Sequence, residues 1–349
     1  MRAPWLLAVP FLIHASTDAA TNYSARRLTE DGVSIVRLSD AARGVEVSIT
    51  PSLGNRAYEF KVHGKNILYF PFADAAAFAK DGGQSFCGIP FLAPWANRMA
   101  GAGFWANDKH YMFNPELGSV RVAKNGIAIH GMLSASPRWE VTAVQADRKA
   151  AWVTSRFLFW KYPELMANWP FAEEYEMTYR LSNGVLEVTT TIVNRSAEAM
   201  PVAIGFHPYF QIPGAPRAAA HVHIPAEKHV ETDQNLVATG VLKPIQPLER
   251  ISLKDRTFDD GFTGLKRDGD GKARLFVENG DRKITVVYGA KFPVAVVYAP
   301  PGKEFVCFEP MTAITNGVNL AHEGKYATLQ SVAPGASWRE SFWVEPSGF

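Results

Sequence analysis

Glu174-Tyr175-Glu176-Met177-Thr178-Tyr179-Arg180-Leu181-Ser182-Asn183-Gly184-Val185-Leu186-Glu187-Val188-Thr189-Thr190-Thr191-Ile192 decides the fold class. Tyr175, Met177, Tyr179 and Leu181 alternate with Glu174, Glu176, Thr178 and Arg180. Leu186, Val188 and Ile192 then alternate in the same way with Glu187, Thr189 and Thr191. A period of two belongs to a strand with one buried face. Between the two runs, Asn183 and Gly184 tolerate the positive φ of a tight hairpin turn. The stretch is therefore predicted to be a β-hairpin.

The same period dominates outward from the hairpin, with strands predicted at 44–50, 139–144, 151–159, 200–204, 283–288, 294–298 and 304–308. Twenty-seven glycines and 23 prolines punctuate them. This predicts an all-β fold, a large β-sandwich of antiparallel sheets packed face to face. Helical potential is confined to short stretches such as 73–80. No long linker or internal repeat divides the chain, so residues 22–349 are read as one domain.

With 349 residues, 47% hydrophobic and 20% charged, the chain has enough apolar material for a large core and is not of the disordered class. Its 36 Lys and Arg against 34 Asp and Glu leave no basic excess, so nucleic acid and anionic membrane surfaces are not expected partners. A small ligand fits this balance better. Two cysteines make no disulfide framework, and Cys87 and Cys307 are expected to be free, buried thiols. Residues 1–20 read as a secretory signal peptide: Arg2 supplies charge, 5–13 form an apolar run, and a small, polar stretch follows, with cleavage after Ala19 or Ala20. The mature protein is then expected in the periplasm or outside the cell. The alternative is a cytoplasmic protein with a disordered leader. No later segment is long and apolar enough to insert in a membrane as a helix.

Two ionisable residues stand in unusual surroundings. His207, in Gly205-Phe206-His207-Pro208-Tyr209-Phe210, is enclosed by aromatics and held extended by the following proline. Such an imidazole can be tuned for acid or base work, although a core histidine is an equal reading. Glu309, in Phe305-Val306-Cys307-Phe308-Glu309-Pro310, ends an apolar strand, where a carboxylate is paired, functional or at the solvent edge. His63, His110, His229 and His322 read as structural. His221 and His223 share a strand face, but no further spacing supports a metal, and none is expected. Asn55-Arg56, after Gly54, reads as a turn near the first strands.

In sequence order, Gly88-Ile89-Pro90-Phe91-Leu92-Ala93-Pro94-Trp95-Ala96-Asn97-Arg98, Gly103-Phe104, Ile129-His130-Gly131, His207-Pro208-Tyr209-Phe210, Asp259-Asp260-Gly261-Phe262 and Glu309-Pro310 resemble the landmarks of the aldose 1-epimerase family. The resemblance spans residues from about 33 to 345. It implies a β-supersandwich of the galactose mutarotase-like kind with an open cleft. It also implies His207 as general acid, Glu309 as general base, and Arg98, His130 and Asp259 as ligands of sugar hydroxyls, with Asn97 lining the pocket. Asp259 is preferred to Asp260 because it stands three residues before the phenylalanine. Many relatives carry a glutamine near 294–298, where this chain has Val294, Ala295, Val296 and Val297.

The implied reaction interconverts the α and β anomers of a free aldose. It needs one acid and one base at the acetal and no cofactor. The implied partner is a small sugar, and no oligomeric state is implied. The rival readings are a hexose-6-phosphate epimerase and a noncatalytic carbohydrate-binding protein. Neutral sugars are expected over 6-phosphates, because the motifs contain only Arg98 as a cation.

Overall fold

The computed structural model describes residues 22–123 and 125–349. The proposed signal peptide lies outside them. The hairpin forms as the alternation requires, with strands Glu173–Ser182 and Val185–Asn194 in a register that sets Tyr179 opposite Val188 and Leu181 opposite Leu186. Tyr175, Met177, Tyr179 and Leu181 are fully buried. Each aliphatic side chain so buried contributes about 1.5–3 kcal/mol. Asn183 and Gly184 take φ of 52° and 75°, the two positive values that a two-residue hairpin loop demands. The loop's amides are used elsewhere: Asn183 N–H donates to the Tyr23 hydroxyl and Gly184 N–H to Asp40 Oδ2. These bonds fasten the hairpin tip to the N-terminal strands.

Around the hairpin grows a nine-stranded antiparallel sheet that runs from Glu140–Ala146 at one edge to Leu248–Ser252 at the other. An eight-stranded sheet faces it. In its middle Phe258–Leu265, Val294–Ala299, Val306–Met311 and Gly205–Phe206 lie side by side. A five-stranded sheet formed by Tyr23–Glu30, Val33–Asp40, Val45–Thr50, Arg56–Val62 and Lys65–Asn66 completes the large layers described. Aromatic rings join the two largest sheets. Phe91 meets Tyr175 at 5.6 Å and Phe206 meets Phe342 at 4.7 Å. Helices are short, Ala75–Lys80, Pro163–Met166 and Gly317–His322, and none is long and apolar enough to cross a membrane. The first starts two residues later than expected because Asp74 caps it, its carboxylate accepting from Ala77 N–H.

Strand boundaries moved most around Glu309. The strand expected at 304–308 is Val306–Met311, so Glu309 is interior to it rather than at its end. Cys87 and Cys307 are free and buried.

Candidate active site

Period two in the eight-stranded sheet separates core from cleft residue by residue. Phe206 and Phe308 point into the core, and the residues that follow them, His207 and Glu309, point to the opposite face. Gly205 pairs with Met311 and Tyr209 with Cys307, so His207, midway between, stands opposite Glu309. The result is a His207 Nε2 to Glu309 Oε1 separation of 3.2 Å between two side chains that are 7% and 2% exposed.

The same face extends across the neighbouring strands. Val296 pairs with Glu309 and with Gly261, while Tyr298 pairs with Cys307 and with Asp259. Asp259 therefore looks onto the cleft. Asp260 lies on the other face, where its Oδ1 is 2.8 Å from His229 Nε2. The register thus turns Asp259, and not Asp260, to the cleft.

Arg98, His130 and Asn97 arrive from a loop layer above the sheet. Strand Arg98–Met99 pairs with Ala128–Ile129, and His130 N–H donates to Asn97 C=O at 2.9 Å. Both residues have left-handed backbones, φ 57° at Asn97 and 62° at His130, a conformation uncommon outside glycine that asparagine and histidine adopt more readily than most. Gly131 must be glycine: a Cβ there would stand 2.1 Å from Ala93 O. The Arg98 main chain is held from the far side by Thr315 Oγ1 and by Asn316 N–H.

All six residues singled out from the sequence, His207, Glu309, Asn97, Arg98, His130 and Asp259, thus line one cleft of ≈ 380 Å³. The sequence reading missed Phe86, Arg121 and Tyr298, which share it. Phe86 lies 5.7 Å from the His207 ring and 5.3 Å from that of His130, and the Arg121 guanidinium sits 4.2 Å above it. Nothing in the local pattern around residues 86 or 121 distinguishes them from ordinary loop residues.

Arg56 was also misread. Asn55 does occupy a turn, with φ 50°, but Arg56 is 1% exposed. Its guanidinium donates to Gly83 O, Ser85 O and Ser134 O at 3.0, 2.7 and 2.6 Å. A buried cation requires such partners, and these tie down the loop that carries Phe86.

Electrostatically, the acid and the base move toward and past one another. Burial pushes the His207 imidazole down to about 3, aided by the positive charges of Arg121 and Arg56. Burial also raises the Glu309 carboxyl well above its ordinary value, as does Asp259, against the pull of Arg98. His130 is held well below the usual histidine range by burial and by its cationic surroundings. Asp259 is raised by burial, with Arg98 opposing. Burial thus works against the charged form of both members of the pair, favouring neutral His207 beside protonated Glu309. Tyr209 stacks on His207 with ring centroids 4.6 Å apart, and its hydroxyl is 3.4 Å from Nε2. His207 Nδ1 and Glu309 Oε2 have no partner in the protein.

Neighbouring features lack this chemistry. A groove of ≈ 430 Å³ adjoins the cleft at Arg121, but its Arg138 and Glu164 are joined in a salt bridge. His223 stacks on Phe276, and no group of three or more His, Cys, Asp or Glu able to hold a metal occurs among the described residues.

Comparison with known proteins places the architecture. A galactose mutarotase-like protein from Clostridium acetobutylicum superimposes with a TM-score of 0.82 and 25% identity, over 94% of this chain and 99% of that one. The galactose 1-epimerase of Lactobacillus acidophilus shares the fold at a TM-score of 0.71 and 12% identity, over 95% and 100% of the two chains. The Slr1438 protein of Synechocystis also aligns at 0.71, with 24% identity over 93% and 97%. The family described as Aldose 1-epimerase matches residues 34–345, which include every strand that lines the cleft. With its galactose mutarotase-like sheets and a match running nearly end to end, the chain belongs to the aldose 1-epimerase family.

Proposed function

We propose that the protein interconverts the α and β anomers of a free aldose by opening and reclosing its ring. The observation that carries this reading is the cross-strand pair: His207 and Glu309 are buried 3.2 Å apart on a cleft whose walls also present Arg98 and Asp259.

In a cyclic aldose the anomeric hydroxyl oxygen and the ring oxygen are both bonded to C1. An acid and a base standing side by side can serve both. In the opening step protonated His207 gives its proton to the ring oxygen while the Glu309 carboxylate takes the anomeric hydroxyl proton. The bond between C1 and the ring oxygen breaks with its electron pair moving to the ring oxygen, and C1 becomes an aldehyde. This leaves neutral His207 and protonated Glu309, the state that burial of both groups favours. After rotation about C1–C2 the roles reverse: Glu309 protonates the aldehyde oxygen, and His207 takes the proton of the hydroxyl that closes the ring. One shared proton suffices for the whole cycle. Arg98, Asp259, His130 and Asn97 hold the ring by its hydroxyls, so that both transfers are aligned.

The reading is tested by NMR exchange spectroscopy on a panel of free aldoses. Enzyme-dependent exchange between anomer signals is expected. Saturable binding without exchange would move the protein to the carbohydrate-binding reading.

A further inference from the structure

The cleft carries a positive charge that the epimerase chemistry does not use. Two guanidinium groups face it, Arg98 and Arg121, and Asp259 supplies the one carboxylate besides Glu309. Glu309 itself is taken up in the cross-strand pair with His207, 3.2 Å away. Arg98 and Asp259 act on each other and on Glu309. Arg121 has no such counterion: among the described residues its guanidinium makes no ion pair or hydrogen bond, and it sits 4.2 Å from the centre of the Phe86 ring. An exposed guanidinium without a counterion, set over an aromatic ring at a ligand cleft, is ready for an anion.

Its position within the cleft specifies where that anion belongs. Arg121 lies over Phe86, whose ring contacts His207, Tyr209 and His130. Its field is felt by His207 while those of Arg98 and Asp259 act on Glu309, and His130 feels both arginines. Arg121 thus stands on the His207 side. If His207 serves the ring oxygen, as in the function proposed above on which this inference rests, that side receives C5 and its substituent. We propose that the preferred substrate is a hexuronate, whose C6 carboxylate is bound by Arg121. A single negative charge matches the one cleft guanidinium that lacks a counterion, and the dianion of a 6-phosphate would exceed it.

The experiment compares kcat/KM for anomer exchange of glucuronate and galacturonate, the parent neutral hexoses and their 6-phosphates, in the wild-type protein and in Arg121→Gln. In parallel, calorimetry compares methyl glucuronide with methyl glucoside, neither of which can open. The wild-type protein is expected to favour the uronates over the neutral sugars by about tenfold or more, as one charge-assisted contact allows. Arg121→Gln should reduce that ratio by about the same factor, and added salt should lower it in the wild type. Arg121→Lys, which keeps the charge but loses the planar fork, should fall between. A wild-type preference for neutral sugars, a faster 6-phosphate, or a ratio untouched by Arg121→Gln would overturn the proposal while leaving epimerase activity standing. If no sugar exchanges, the epimerase reading fails and calorimetry decides: methyl glucuronide binding no tighter than methyl glucoside overturns the inference as well.

Discussion

Replacing Glu309 by glutamine separates catalysis from stability at one atom. Glu309 Oε1 stands 3.2 Å from His207 Nε2, and Oε2 has no protein partner. An amide of the same shape keeps the first contact and removes the base. A positioned general base is worth about 10²–10⁴ in rate, or about 2.7–5.4 kcal/mol at 1.36 kcal/mol per decade. The kcat for anomer exchange should therefore fall at least about a hundred-fold, with sugar binding largely retained. Stability should move the other way. Burial raises the Glu309 carboxyl, so its folded value exceeds the unfolded one. The stability this group contributes is full below the unfolded pKa and is lost as pH rises through the folded value. Glutamine is neutral at every pH and escapes that loss. Thermal unfolding at pH 8 should give Glu309→Gln a Tm at or above that of the parent. A folded variant exchanging anomers near the parental rate would refute Glu309 as base, with Asp259 the next candidate. A variant clearly less stable at pH 8 would refute the account of a carboxyl that burial drives toward its neutral form.

Four further outcomes follow from the same geometry. His207→Asn should also lower kcat at least about a hundred-fold, and the double variant with Glu309→Gln should lose less than the product of the single losses, measured by NMR exchange, because the two groups act as a unit. Because burial holds His207 down to about 3, kcat/KM should show no acid limb near 6.5, the ordinary histidine value; a limb there would contradict the lowered imidazole. Asp259→Asn should raise KM, while Asp260→Asn, on the far face beside His229, should leave steady-state kinetics unaltered. Glu173, buried under Trp169 Nε1–H and the Tyr175 hydroxyl, is raised well above its ordinary value by burial. The same sign argument predicts that Glu173→Gln flattens the decline of Tm above the unfolded glutamate pKa without altering exchange rates.

Much of the fold was legible because strand patterning is local. Tyr175 to Leu181 and Leu186 to Ile192 carry their burial in alternate residues, and Asn183-Gly184 carries the turn in its backbone tolerance. Limits near prolines and caps were less so. The strand expected to stop at 308 continues through Pro310, and whether a proline can sit in a strand depends on the neighbour beside it. Here that neighbour is interrupted at His207-Pro208, between the pairings of Gly205 and Tyr209.

The sequence by itself singled out the candidate residues: His207 among aromatics, Glu309 in an apolar strand, and Arg98, His130 and Asp259 in ordered motifs. Only the tertiary structure decided how they meet. Cross-strand register set His207 opposite Glu309 and turned Asp259 rather than Asp260 to the cleft. Long-range contacts made Arg56 a buried clamp and placed Arg121 over Phe86 at the His207 side. The physical reason is one of range. Periodicity and turn preference act over a few residues, whereas the desolvation, charge balance and spacing that tune an acid and a base are set by segments far apart in the chain.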